Sequence, residues 1–212
     1  MSTSEQNTLS RGDRWSIVGF SIVGFAIAAS IITASAIRIF VLAAGSNVPV
    51  DVEFVETTAD IPLANGMDTV PIELDRGRLV VPQLTPIGMV PGILGQLAVI
   101  LTIVTVVGCL LLLSRSIIRG QVFSRRNSRL VLTAGFVGLL GFAVVKFFDN
   151  MLANAAVNIA TDNELHTWVI SVEPFTFMLS AFIISVIATA FTVGDRLQRE
   201  KAALQKETEG LV

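Results

Sequence analysis

The chain has 212 residues, 52% of them hydrophobic and 15% charged, with a net charge of −2 at neutral pH and a mean hydropathy of +0.72. Such a chain is too apolar for an ordinary soluble domain, and lipid is the implied solvent for much of it. The near-balanced charge and an isoelectric point near 5.4 argue against direct nucleic-acid binding, and the single cysteine, Cys109, excludes an internal disulfide or a CxxC redox pair.

A bilayer core about 30 Å thick requires roughly 20 apolar residues per helical crossing, and four segments meet that requirement. Residues 1–15 form a polar tail with Arg11 and Arg14, and residues 16–44 form the first span, apolar except for Arg38. Ala34-Ser35-Ala36 has the form of a signal-peptide cleavage site, but the apolar run is longer than the roughly 7 to 15 residues of a signal core, so an uncleaved helix is expected. Ala26, Ser30 and Ala34 follow the small-xxx-small spacing of close helix packing. The tandem Ser16–Phe20 and Ser21–Phe25 repeat is a local duplication whose period is wrong for one helical face, and it points to no function.

Residues 45–92 form an outer segment with seven acids against Arg76 and Arg78. Val50 to Glu56 alternates apolar with acidic residues, the period of a half-buried strand. Val70–Leu74 and Leu79–Val81 flank Asp75-Arg76-Gly77-Arg78, which reads as a hairpin with glycine in its turn; a solvated connector is the alternative. Pro91 reads as the start of the second span, residues 93–113, which contain no charge. Residues 114–129 carry Arg115, Arg119, Arg125, Arg126 and Arg129 and no acid. The third span, 130–148, includes Ala134 and Gly138 at small-xxx-small spacing and one charge, Lys146. Residues 149–173 follow as an outer polar or interfacial segment, then the fourth span, 174–193, begins at Pro174. Residues 194–212 form a tail with Arg196, Arg199, Lys201 and Lys206 that is expected to continue the fourth helix, and Leu197, Leu204 and Leu211 lie seven apart in it, a weak coiled-coil pattern.

Because hydrocarbon offers no hydrogen-bond partners, the expected fold is all-α membrane: a four-helix transmembrane bundle with a small extracytoplasmic β element between helices 1 and 2. A β-barrel would instead show short alternating segments. Arginines in 114–129 and bases in both tails, against acids in the other two loops, predict that both termini and the arginine loop are cytoplasmic in a bacterial inner membrane, with Trp15 and Trp168 at the interfaces.

The segment Gly120-Gln121-Val122-Phe123-Ser124, with Asn127 and Arg129 leading into the third span, resembles the bacterial membrane family called domain of unknown function 2975. The chain end is similar too: Phe191, Gly194 and Leu197 close the last span, and Glu209-Gly210-Leu211-Val212 resembles the terminal signature of many members. Asp195 departs from the basic residue common there. Members are often encoded beside a small helix-turn-helix regulator, so the resemblance implies a cytoplasmic partner of that kind and no chemistry.

Ionisable residues within spans invite a functional reading. Arg38, Lys146, Asp149 and Glu173 are expected at similar depth near the outer interface, with Arg38–Asp149 and Lys146–Glu173 as pairs or with the bases snorkelling to the headgroups. Lys146, Asn150, Asn154, Asn158 and Asp162 recur at every fourth position, a stripe that drifts about 40° per step and lines either an outward-facing polar pocket or the wet side of an interfacial helix. The arginines, with Phe123, offer a surface for anionic lipid or a protein partner. His166 is the only histidine, a poor basis for a metal site; no Walker loop, HExxH or GxSxG is present, and no cofactor is expected. The leading expectation is a non-enzymatic regulatory or sensory membrane protein. A small transporter or channel component and a structural subunit of a membrane complex are the alternatives, and the small-residue rows leave a homo-oligomer open.

Overall fold

Long apolar stretches bond their own backbone only as helices when lipid surrounds them, and the computed structural model, which describes residues 11–62, 69–119, 124–161 and 174–209, follows that rule. The elements in chain order are α1 (Arg11–Ala44), β1 (Ser46–Pro62), β2 (Thr69–Gln83), α2 (Pro86–Ile118), α3 (Arg125–Ala160) and α4 (Pro174–Glu209). All four helices are long and apolar enough to cross a membrane, and at most 6% of any apolar window is buried within the protein. Large side chains such as Phe20, Phe40 and Phe182 are instead exposed, so lipid must cover them.

The helix ends follow local chemistry. Gly45 closes α1 with φ +66°, the left-handed conformation glycine adopts without steric cost, and its N–H donates to the Leu42 carbonyl at 3.1 Å. The Thr85 hydroxyl accepts from the Gly88 N–H at 3.3 Å, capping α2, and Pro86 occupies the first helical position. The start signal expected at Pro91 is therefore displaced to Thr85-Pro86. Pro91 lies inside α2, still near its beginning, where its missing N–H forfeits a single helical bond. Ser124 caps α3 in the same way, accepting from the Asn127 N–H at 3.2 Å. α4 runs on through Glu209 and carries the i,i+4 ion pairs Arg196–Glu200 and Arg199–Asp195.

The chain divides into two compact units, one within Met1–Thr33, Ile100–Gly141 and Glu173–Val212, the other within Ala34–Val99 and Phe142–Val172. In the second unit β1 and β2 form a two-stranded antiparallel sheet with Val48 opposite Val81, Val50 opposite Leu79 and Val52 opposite Gly77. Val48, Val50, Val52 and Val81 are buried and cluster with Leu42, Leu84 and the α3 residues Leu152, Ala153, Ala156 and Val157. The alternation read from Val50 onward thus sets one apolar face on a helix, and an irregularity interrupts the ladder between Glu53 and Thr57.

The hairpin differs from expectation in one respect. β2 passes straight through Asp75-Arg76-Gly77-Arg78, and the connection between the strands, residues 63–68, lies outside the described residues. The cause is cross-strand pairing: Arg76 and Arg78 stand opposite Glu53 and Asp51 in the ladder, ion pairs that a turn at Gly77 would break.

In the first unit, packing depends on small residues of α3. Ala134 is buried, a Cβ on Gly138 would touch Val106 at 3.8 Å, and Gly135 and Gly141 lie directly against Ile184 and Thr102. On α1 the expected row of Ala26, Ser30 and Ala34 is exposed. Ala28 and Ser35 are buried in its place, because the face of a long helix that packs is set by its neighbours and not by spacing alone.

Candidate functional site

Strands present alternate residues to opposite faces, so Asp51 and Glu53 of β1 leave the valine core and meet Arg78 and Arg76 of β2. Arg78 Nε donates to Asp51 Oδ1 at 2.8 Å and its Nη2 reaches Oδ2 at 3.4 Å, while Arg76 Nη2 lies 3.0 Å from Glu53 Oε1. On α3, Lys146, Asp149, Asn150 and Ala153 follow the spacing of one helical face. These side chains, with Val52 and Gly77, line a cavity of about 580 Å³. Gly77, opposite Val52, contributes no side chain and so leaves this space open.

Arg38 of α1 donates from Nη2 to the Pro49 carbonyl, anchoring the strand to the helix. It also lies within electrostatic reach of Asp51 and Asp149. The hydrogen bond from Arg78, aided by the charges of Arg78 and Arg38 and opposed by partial desolvation, holds the Asp51 carboxyl below its ordinary range. Arg78 is correspondingly held above its ordinary value by the bond and charge of Asp51. A carboxylate with a depressed folded-state pKa stabilises the fold above its unfolded pKa, and that stabilisation disappears as pH falls through the folded value. Because the pair is exposed the effect is small: hairpin amide protection, taken relative to intrinsic exchange rates, is expected to fall slightly below the ordinary aspartate range in the native chain and to respond less to the same acidification in Asp51→Asn; equal responses would assign the acid sensitivity to another group.

Of the polar series on α3, Lys146, Asp149 and Asn150 reach the cavity. Asn154 is half-buried and Asn158 exposed, and neither lines it, because twelve residues of helix rotate Asn158 about 120° from Lys146. Phe123, Asp162, His166, Trp168 and Glu173 lie outside the described residues. Arg115, Arg119, Arg125, Arg126 and Arg129 are all exposed, and Arg125 joins Ser124, Asp195, Gln198, Arg199 and Ala202 around an open cleft of about 490 Å³ in the first unit. Reading the sequence singled out none of Asp51, Glu53, Arg76 and Arg78 as site residues. The signal was present as two patterns of matched spacing, Asp-Val-Glu and Arg-Gly-Arg, which an antiparallel ladder brings face to face.

Four apolar helices with a two-stranded hairpin between the first two define a polytopic α-helical membrane protein. Residues 77–211 match the family described as "Protein of unknown function (DUF2975)", and the chain belongs to that family. The matched segment begins at Gly77, so it includes Arg78, Lys146, Asp149 and Asn150 but leaves β1, with Asp51 and Glu53, outside it. No curated protein matches the chain, and no solved structure does.

Proposed function

We propose that this chain is a non-enzymatic regulatory membrane protein of a bacterial inner membrane. Both termini and the arginine loop face the cytoplasm, the hairpin and its cleft face outward, and occupancy of the cleft is relayed to a cytoplasmic partner, of which a helix-turn-helix regulator is the leading candidate. The observation that carries this reading is α3 itself. The helix that begins with Arg125, Arg126 and Arg129 later carries Lys146, Asp149 and Asn150, so the basic residues and the charged residues of the cleft belong to one helix. The excess of arginine in residues 114–129 supports the orientation.

The test is photocrosslinking in native membranes from positions Phe123 and Leu204, with mass spectrometry of the adducts, together with transcript measurements in a deletion strain. Recovery of a transcription regulator, with altered expression of neighbouring genes on deletion, is the expected outcome. Adducts confined to lipid or to the chain itself, with unchanged transcripts, would remove the regulatory reading.

A further inference from the structure

We propose that the cleft where the hairpin meets α3 receives the headgroup of a zwitterionic phospholipid, a primary ammonium and a phosphodiester joined by a short linker. The inference rests on the sensory reading above and names the class of ligand for that site.

The first step is depth. A two-stranded sheet has two open edges whose backbone N–H and C=O groups lack ladder partners, and such edges do not occur in lipid-exposed hydrocarbon. The hairpin must therefore stand at or above the interface, and so must the turns of α3 on which it lies, Leu152 to Val157. Lys146 is about 9 Å further along the helix axis from Leu152, at ~1.5 Å per residue. The headgroup layer on each side of a bilayer is roughly 5 to 8 Å thick. Asp149, Asn150 and Ala153 lie within about 5 Å of Leu152 along that axis, so the cleft they line opens at headgroup level, and the long Lys146 side chain snorkels up to it from below. Phe147 and Met151, each one residue beyond Lys146 and Asn150 on α3, are exposed and supply an apolar border along which acyl chains can lie.

The second step is charge. The lining carries three bases, Arg76, Arg78 and Lys146, and three acids, Asp51, Glu53 and Asp149. A ligand of one sign would meet like charge wherever it met its complement, whereas a zwitterion satisfies both. Arg78 is committed to Asp51 through two bonds. Arg76 meets Glu53 through Nη2, and a guanidinium has five N–H donors in all, leaving it able to bind phosphate oxygens. Asp149 and Glu53 offer carboxylates to an ammonium. Among the described residues no three His, Cys, Asp or Glu side chains converge as a metal site, so a cation alone is the poorer fit.

The test uses the full chain purified in maltoside micelles, with affinities measured for dihexanoyl-phosphatidylethanolamine, dihexanoyl-phosphatidylglycerol and free O-phosphoethanolamine. Saturable binding of the ethanolamine lipid is expected, at least tenfold tighter than the glycerol lipid and tighter than the free headgroup. Gly77→Val fills the cleft while suiting a strand, and is expected to weaken binding at least tenfold without lowering the melting temperature. Asp149→Asn should weaken the ethanolamine lipid more than the glycerol lipid, narrowing the preference. Equal affinity for the two lipids, or unchanged binding in Gly77→Val, would overturn the proposal; equal affinity for free phosphoethanolamine would overturn its lipid half in favour of a soluble solute. Crosslinking from Leu204 separates the two claims. Capture of a regulator without lipid binding refutes the ligand class alone, and lipid binding without a captured regulator refutes the relay alone.

Discussion

Val50→Asp is expected to detach the hairpin from α3, while Asp51→Asn, one residue along the same strand, leaves it in place. Val50 is 2% exposed in a cluster of Val, Leu and Ala side chains that includes Val48, Val52, Val81, Leu42 and the α3 residues Leu152 and Ala156. Removing a buried valine forfeits about 1.5 to 3 kcal/mol of burial, and a carboxylate among such neighbours must either take up a proton or pull the strand into water. A two-stranded sheet is marginal by itself, so the whole hairpin should go with it, at a total cost of more than about 3 kcal/mol. Asp51 lies on the opposite face in an exposed ion pair, where charge removal has little effect. Limited proteolysis and amide exchange over residues 46–83 would read the difference. The expected result is protection lost in Val50→Asp with helical content retained, and near-native protection in Asp51→Asn. Native protection in Val50→Asp would mean that the valine face is not what holds the sheet.

That contrast indicates which parts of the molecule were legible in its sequence. The spans were, because lipid imposes a length and a composition that no other role demands, and the period of two from Val50 to Glu53 revealed which strand residues face the core. Helix beyond the apolar runs was legible in part: the extension of α4 past Gly194 was expected and runs to Glu209, whereas hydropathy says nothing about Pro86–Val90, where capping by Thr85 decides. In the cleft, Lys146, Asp149 and Asn150 were visible because helical neighbours lie three and four apart in sequence. Asp51, Glu53, Arg76 and Arg78 were hidden, since their association depends on register between two strands, and Gly77 imitated a turn where it in fact lies inside β2 and lines the cavity.

Gly141→Ala offers the opposite kind of test, one in which local propensity and packing disagree in sign. Glycine inside a helix costs about 0.5 to 1 kcal/mol relative to alanine, so propensity alone predicts a more stable protein. Packing predicts the reverse. A Cβ at position 141 would overlap Oγ1 of Thr102 and approach its Cβ to 2.9 Å. Turning the threonine only exchanges its hydroxyl for a methyl, and a β-branched residue in a helix has little rotamer freedom. The crossing of α2 and α3 must therefore widen, and overpacking of this kind costs about 1 to 3 kcal/mol, outweighing the propensity gain. Thr102→Ala removes both branches and should recover most of the loss, giving a favourable coupling energy in a double-mutant cycle measured by unfolding in micelles. Gly24→Ala, where no atom lies within 4 Å of the added methyl, serves as the control and should be neutral or slightly stabilising. If Gly141→Ala behaves like Gly24→Ala and shows no coupling to Thr102, then α2 and α3 do not cross this closely. If coupling appears, the absence of a side chain at Gly141 is what lets two apolar helices gain dispersion contacts that lipid would otherwise supply.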